Sequence, residues 1–170
     1  MERIPIHDWE THKGHVYRYQ LAEKFINEGD TVYDIACGIG YGSKILTEHK
    51  KINYVGIDKI VPDPAFEQYG MFYSKDLNEY SGDGKHWDVS VSFETMEHIE
   101  DPIKFSQTLK QATKKIILSV PTIPTKHLNQ YHLHDFNVDD ILSIFKDWQL
   151  IHLESQPEEY AHIFVYSRVS

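Results

Sequence analysis

Two carboxylates and an imidazole occur together in segment 94–98, where the sequence reads E-T-M-E-H. If a helical turn begins here, Glu94, Glu97 and His98 share one face of that turn. Such a mixed set of oxygen and nitrogen donors suits Mg²⁺ or Mn²⁺ and leaves coordination positions for substrate oxygens. A further ligand has to come from elsewhere in the fold, and His134 is the candidate. The sequence therefore predicts a metal site formed by Glu94, Glu97, His98 and His134.

The same histidines can also work without a metal. His98 or His134 is then the best general base, because an imidazole titrates near neutral pH. Glu94 in that case lines the binding site of a small-molecule ligand, and Glu97 caps a helix or forms an ion pair. His132 either supports a ligand or is only a polar residue on a substrate loop. The predicted catalytic residues are His98, His134 and Glu94, and the choice between metal and base stays open.

A glycine-rich turn provides a second candidate site. Residues 32–43 read as a strand that ends in a carboxylate, then a turn with Gly38, Gly40 and Gly42, then the start of a helix. Glycine permits positive φ and lets a ligand lie directly against the backbone. A helix start offers unpaired N–H groups to an electron-rich ligand, and Asp34 at the strand end can accept from an ammonium. The combination suits a nucleoside that bears an amino acid better than a pyrophosphate.

Strands and helices alternate up to residue 121, which predicts a mostly parallel sheet with helices on both faces. The predicted strands cover residues 31–36, 52–58, 71–74, 87–93, 115–120, 148–154 and 161–168, and the predicted helices cover 15–27, 42–50, 101–112 and 138–145. We expect the last two strands to pair antiparallel. In such sheets the ligand lies beyond the carboxyl ends of the strands. Four acids at or just after predicted strand ends should converge there: Asp34, Asp58, Asp76 and Glu94.

The spacing of these acids points to one cofactor. Asp58 ends the second strand, where a carboxylate can take both hydroxyls of a ribose, and Asp76 with Leu77 can hold an adenine. On residues 34–42, 55–58, 76–77 and 92–102 the chain resembles the class I S-adenosylmethionine-dependent methyltransferases. The resemblance covers roughly residues 15–168 and implies an α/β, Rossmann-like, doubly wound sheet of seven strands with an antiparallel last strand. It also implies cofactor contacts by ten residues: Tyr19, Asp34, Ala36, Gly38, Gly40, Asp58, Lys59, Asp76, Leu77 and Phe93.

Finer resemblances concern the acceptor of the methyl group. The lead-in segment 15–19 is similar to that of methyltransferases encoded with polysaccharide biosynthesis. There Tyr17, Arg18 or Tyr19 either reaches the methionine carboxylate, closes over the cofactor or packs on the sheet. The E-x-x-E-H pattern with the late H-x-F at 134–136 resembles the metal-dependent 2′-O-methyltransferases of small-RNA 3′ ends. Ubiquinone-pathway O-methyltransferases carry E-x-x-E-H as well.

The bulk composition limits the possible partners. A net charge of −9 argues against a broad surface for the nucleic-acid backbone. The apolar runs are too short for a membrane span, the N-terminus has no signal-peptide core, and a single cysteine fits a reducing compartment. We therefore expect a cytoplasmic protein. Its 170 residues predict one domain with a lead-in at 1–30, a cofactor-binding core at 31–121 and an acceptor side at 122–170.

The favoured function is O-methylation of a sugar hydroxyl, on a glycan or nucleotide-sugar, with S-adenosylmethionine as donor and Mn²⁺ or Mg²⁺ as a possible aid. The motivating features are the lead-in segment, the acidic charge and a segment 122–137 rich in His, Asn, Gln and Tyr. Alternatives are an RNA 3′-terminal 2′-O-methyltransferase, a quinone or small-metabolite O-methyltransferase, and a non-enzymatic cofactor-binding module. The chain is short for the family it resembles, so a domain of a larger protein or a weak homodimer is also considered.

Overall fold

A computed structural model describes residues 6–169, and it contains one sheet of seven strands in the order β3-β2-β1-β4-β5-β7-β6. The strands are β1 Thr31–Ile35, β2 Asn53–Asp58, β3 Met71–Ser74, β4 Trp87–Phe93, β5 Ala112–Pro121, β6 Trp148–Gln156 and β7 Ala161–Arg168. Residues 1–5 and 170 of the predicted domain lie outside the described residues. Strands β1 to β5 are parallel, and β7 runs antiparallel to both β5 and β6. The predicted Rossmann-like, doubly wound fold is confirmed.

Helices cover both faces of the sheet, as the alternation predicted. They are α1 Lys13–Glu23, α2 Tyr41–Thr47, α3 Pro102–Leu109 and α4 Val138–Ile144. Successive side chains of a strand point to opposite faces. Val32 accordingly packs with the apolar side chains of α1 and α2, whereas Tyr33 and Ile35 belong to the core that includes α3 and α4. Both faces of β1 are thus buried, which explains its nearly continuous apolar run.

Strand order places the ligand crevice between β1 and β4. The chain winds outward from β1 through β2 to β3 and then returns to the other side of β1 to form β4. At this reversal the connections leave the two carboxyl ends in opposite directions, which opens a crevice at the sheet edge. The loops after β1 and β4 carry the glycine turn and the E-x-x-E-H segment, so the two predicted sites face each other across it.

Residues 75–86, between β3 and β4, contain turns and irregular backbone and no helix, in agreement with the predicted elements. Local structure departs from the prediction in the loop after β4. The E-x-x-E-H segment forms a short 3₁₀ turn over Met96–His98, while Glu94 precedes it with φ 48°. Asp101 and Asn137 cap α3 and α4 through their side chains. No helix within residues 6–169 is long and apolar enough to cross a bilayer.

Candidate active site

A cavity of about 480 Å³ lies at the carboxyl ends of the central strands. Its walls come from α1, the loop after β1, the ends of β2 and β4, the E-x-x-E-H turn and the segment after β5. The predicted residues that line it are Tyr19, Ala36, Gly38, Asp58, Phe93, Glu94, Glu97 and His98. The structure therefore brings five of the ten predicted cofactor residues and three of the four predicted metal ligands into one space.

The glycine turn forms the floor of the cavity. Ala36, Gly38 and Gly40 all adopt positive φ, at 84°, 58° and 99°. A Cβ built at Gly38 would meet no heavy atom within 4 Å, so the backbone there faces open space that a ligand can fill. At Gly42 a Cβ would lie 2.3 Å from the Tyr19 ring. The glycines serve two purposes, because one leaves room for a ligand and another lets α1 and α2 approach.

Asp58 lies where a ribose acceptor was predicted. Its Oδ2 accepts from the backbone N–H of Gly38 at 2.9 Å, and its Oδ1 accepts from the N–H of Ile60 at 3.1 Å. A carboxylate oxygen has more than one acceptor site, so each oxygen can still take a hydroxyl from the cavity. The bond to Gly38 also ties the end of β2 to the glycine turn, which fixes the floor against the strand.

Asp34 lies behind the cavity wall, whereas the sequence predicted it on the wall. Its side chain is fully buried, and Oδ2 accepts from the hydroxyls of Tyr19 and Tyr54 at 2.9 and 2.6 Å. Oδ1 is buried and has no hydrogen-bond partner among residues 6–169. Burial raises the pKa of Asp34 to about 7, against the effect of the two tyrosine hydroxyls. The carboxyl therefore positions Tyr19, which itself lines the cavity.

Three other predicted cofactor residues stand outside the cavity lining. Lys59 and Asp76 form an ion pair at 2.7 Å, with the Lys59 side chain 71% exposed, and Leu77 is buried in the core. The ammonium of Lys59 holds the pKa of Asp76 below its usual range. Gly40 also lies off the wall, because it begins α2 with its Cα facing the ring of Phe72. The expected convergence of four acids is thus reduced to Asp58 and Glu94.

Arg18 is the buried cation of the site. Its Nε donates to Oε1 of Gln156 at 2.7 Å, and its Nη2 lies 3.6 Å from carboxylate oxygens of both Glu94 and Glu159. The residue is fully buried and does not line the cavity. It joins α1 to the end of β4 and to the connection between β6 and β7. Tyr17, beside it, is more exposed and donates a hydrogen bond to Glu154.

Glu94 is held by groups of the protein. Its Oε1 accepts from the hydroxyl of Ser119 at 2.8 Å, and its backbone N–H donates to the Ser119 carbonyl at 3.0 Å. Burial raises the pKa of Glu94, and the guanidinium of Arg18 opposes that rise. Glu94 lines the cavity wall, and one of its two carboxylate oxygens is already bonded to Ser119.

The second group of chemistry-bearing residues consists of Glu97, His98 and His132, which we call the acceptor cluster. One ligand atom from each lies within 4.8 Å of the others. Glu97 is buried, and neither of its carboxylate oxygens has a hydrogen-bond partner among the described residues. Burial lowers the pKa of both histidines, so both are neutral at physiological pH.

The sequence predicted His134 in this group, whereas the structure places His134 elsewhere and brings His132 beside Glu97 and His98. The ring Nε2 of His134 bonds to the carbonyl of Ile99 at 2.9 Å, and the side chain lines a separate surface groove beside α3 and α4. Glu94 also falls outside the cluster. Segment 122–137 crosses the E-x-x-E-H turn, where the N–H groups of Leu133 and His134 both donate to the Glu97 carbonyl, and there the His132 ring lines the cavity while the His134 ring lines the groove.

Asn129 and Glu159 are among the wall residues that were not predicted. Asn129 comes from the segment after β5, and Glu159 comes from the connection between β6 and β7. Glu159 reaches the cavity over Gly14, since a Cβ at that glycine would lie 2.3 Å from its carboxylate. No local pattern marks either residue, because their positions depend on long-range pairing of β5, β6 and β7.

Comparison with known proteins agrees with this architecture. The model of a family described as "Methyltransferase domain" matches residues 14–170. No curated protein sequence matches the chain. Similar solved structures share little sequence with it, so they show the fold alone.

Three such structures illustrate the likeness. Magnesium protoporphyrin IX methyltransferase from Synechocystis PCC 6803, with bound S-adenosylhomocysteine, has a TM-score of 0.74 at 18% identity over 99% of this chain and 90% of that one. 1,6-Didemethyltoxoflavin-N1-methyltransferase from Burkholderia thailandensis has a TM-score of 0.75 at 10% identity, over 96% of this chain and 82% of that one. An S-adenosylmethionine-dependent methyltransferase from Mesorhizobium loti has a TM-score of 0.70 at 13% identity, over 89% of this chain and 98% of that one. By its family and its fold, the chain belongs to the class I S-adenosylmethionine-dependent methyltransferases.

Proposed function

We propose that the protein transfers a methyl group from S-adenosylmethionine to a sugar hydroxyl. The observation that carries the proposal is the polarity of the acceptor side of the cavity. That wall consists of hydrogen-bonding side chains: Glu94, Glu97, His98, Asn129, His132 and Glu159. A polyhydroxylated acceptor needs such partners, because a hydroxyl buried without one is costly.

The residues of the cofactor side fit the donor. Open space above Gly38 leaves room for a ligand against the backbone. Asp58 offers acceptor sites for ribose hydroxyls, and the apolar residues Ile39, Ile60 and Phe93 line the same cavity. S-adenosylmethionine, when bound, supplies an electrophilic methyl group on its sulfonium. The protein's part is to hold and orient both partners.

The acceptor cluster supplies the remaining chemistry, which is removal of the hydroxyl proton. Nδ1 of His98 bonds to the Tyr131 carbonyl at 2.9 Å, so Nδ1 carries the proton and Nε2 presents a lone pair. A sugar hydroxyl is a weak acid, so a lone imidazole base has a difficult task. Proton removal at this site therefore needs either a well-placed base or a cation that lowers the pKa of the hydroxyl.

The alternative acceptors fit less well. A flat aromatic ring needs apolar walls, and the acceptor side is made of acids, an amide and imidazoles. RNA needs basic groups along its phosphates, and the chain has a net charge of −9. A purely cofactor-binding module would not need the polar cluster beside the cavity.

The test is methyl transfer from isotopically labelled S-adenosylmethionine to three acceptor panels: deoxyhexoses with nucleotide-sugars and oligosaccharides, quinols, and short RNA. We expect a methyl ether on a sugar oxygen, identified by mass spectrometry. Transfer only to a quinol or to RNA would overturn the sugar proposal. Absence of transfer to any panel, with S-adenosylmethionine bound, would favour the binding module.

Asp58→Asn is expected to weaken S-adenosylmethionine binding by about 1–3 kcal/mol, because an amide can accept hydrogen bonds through only one of its two terminal atoms. Isothermal titration calorimetry measures this directly. Asp139→Asn is the matched control, since Asp139 is an exposed carboxylate on α4. Equal affinities for the Asp58→Asn variant and the unmodified protein would remove Asp58 from the cofactor site.

A further inference from the structure

The geometry points to a divalent-cation site formed by Glu97, His98 and His132 on the acceptor side of the cavity. Only the catalytic role of this site rests on the proposed function, since the site itself is defined by this chain's residues. It differs from the set predicted from the sequence by excluding Glu94 and His134 and by including His132. The acceptor that fits this site is a sugar with adjacent oxygens, because two such oxygens can bind the cation at neighbouring coordination positions.

The first argument is the state of Glu97. The residue is 1% exposed, and both carboxylate oxygens are buried without a hydrogen-bond partner in the part of the chain that the structure describes. Within residues 6–169, Glu97 comes within ion-pair distance of His98 alone, at 3.8 Å. Buried polar groups are almost always satisfied, and each exception calls for an explanation such as a ligand or an ion. A cation between Glu97 and the two imidazoles would satisfy this carboxylate.

The second argument is the orientation of the imidazoles. His98 Nδ1 is bonded to the Tyr131 carbonyl at 2.9 Å, and His132 Nδ1 is bonded to the Thr125 hydroxyl at 2.7 Å. Both rings therefore keep Nε2 for another partner. Metal-ligating histidines characteristically use one ring nitrogen for the metal and the other for such a supporting hydrogen bond. The two rings stand edge to face with centroids 4.7 Å apart, so they converge on a common space.

The third argument is that the backbone holds the cluster in place. The carbonyl of Glu97 accepts from the N–H of Leu133 at 2.7 Å and from that of His134 at 3.3 Å. Asp135 in turn accepts from the N–H groups of Thr125 and Lys126, which closes the segment on itself. These bonds lock the segment that carries His132 onto the turn that carries Glu97 and His98. The ligand atoms are thus brought together before any ligand binds.

The ligand set selects the kind of cation. Two imidazole nitrogens and one carboxylate match the arrangement that first-row transition ions use with coordination positions left open. Mg²⁺ prefers oxygen ligands in near-ideal octahedral geometry. We therefore expect Mn²⁺ to bind more tightly than Mg²⁺. All three ligand residues also line the cavity, so the open positions face the acceptor.

The test uses Mn²⁺ alone, followed by electron paramagnetic resonance of the free ion, with no substrate present. The unmodified protein should bind one Mn²⁺ per chain, and excess Mg²⁺ should not displace it. Glu97→Gln and His132→Gln should each weaken binding at least about ten-fold. His127→Gln should leave binding unchanged, because His127 is an exposed histidine of the same segment that does not line the cavity. No saturable binding, or equal binding by Glu97→Gln, would overturn the site.

A second measurement separates the site from the proposed function and from misfolding. S-adenosylmethionine binding is titrated calorimetrically on the same samples without Mn²⁺. If Glu97→Gln binds S-adenosylmethionine normally and loses Mn²⁺, it is folded and the cation site is supported. If Mn²⁺ binds and S-adenosylmethionine does not, the proposed function fails while the cation site stands. If Glu97→Gln binds neither, His132→Gln decides: normal Mn²⁺ binding by that variant overturns the site, and loss of Mn²⁺ with retained S-adenosylmethionine binding supports it.

Discussion

Arg18→Met is expected to lower the free energy of unfolding by about 3 kcal/mol. Removing one partner of a buried charge pair typically costs about 3–5 kcal/mol. We take the lower end, because the side chains of Glu94 and Glu159 are 19% and 35% exposed and can be partly rehydrated. Methionine fills a similar volume, so the loss of stability measures the removal of the charge and of the hydrogen bond to Gln156. Urea denaturation measures the change.

The same substitution is also expected to reduce methyl transfer more than its stability effect explains. Arg18, on α1, contacts the end of β4 through Glu94 and the region of the β6–β7 connection through Gln156 and Glu159. Without it, two carboxylates on the cavity wall repel each other with no cation between them. We therefore expect the acceptor wall to open, which raises the KM for the acceptor at temperatures where the variant is folded.

Two variants test this explanation. Arg168→Met removes an exposed arginine that lies over the Trp148 ring, and it should cost less than about 1 kcal/mol. Arg18→Met combined with Glu94→Gln removes the repulsion as well as the cation, so it should recover part of the stability. An Arg18→Met protein as stable as Arg168→Met would show that the buried guanidinium is not what joins these segments.

The sequence predicts most of this fold because its signals are local. Short runs with few polar positions, bounded by turn residues, predict the strands, and β3, β4 and β7 have the predicted bounds. Helix ends were less well predicted, since α1 ends at Glu23 rather than near residue 27. No helix forms over residues 75–86, so the alternation that indicates the fold does not require a helix in every connection.

The site was harder to predict, because its side chains depend on how distant segments cross. His132 and His134 are equivalent by residue type, and which ring faces the cavity depends on how segment 122–137 lies on the E-x-x-E-H turn, where Leu133 and His134 donate to the Glu97 carbonyl. Arg18 illustrates the same limit. Its partner Gln156 lies 138 positions away, and a helix pattern cannot reveal that the guanidinium is buried among carboxylates.

Asp34→Asn is expected to stabilise the cofactor-free protein above neutral pH by as much as about 4 kcal/mol. Burial raises the pKa of Asp34 from 3.8 to about 7, and each pKa unit corresponds to about 1.36 kcal/mol. Between those two values the folded state keeps a proton that the unfolded state has lost. Because stability rises with pH only where the unfolded state binds more protons, the contribution of Asp34 falls as pH rises from about 4 to about 7.

Asparagine removes this titration and can keep both tyrosine bonds, since its carbonyl oxygen replaces Oδ2. The difference in unfolding free energy between Asp34→Asn and the unmodified protein should therefore grow from pH 4 to pH 8 in urea titrations. For Asp139→Asn, at an exposed site, the difference in unfolding free energy from the unmodified protein should stay constant over this pH range. A constant difference for Asp34→Asn would mean that Asp34 is ionised throughout and would contradict the prediction. If the stabilised variant also binds S-adenosylmethionine more weakly, the charge of Asp34 is retained for the ligand. The buried, unpartnered Oδ1 is then the atom through which that charge acts.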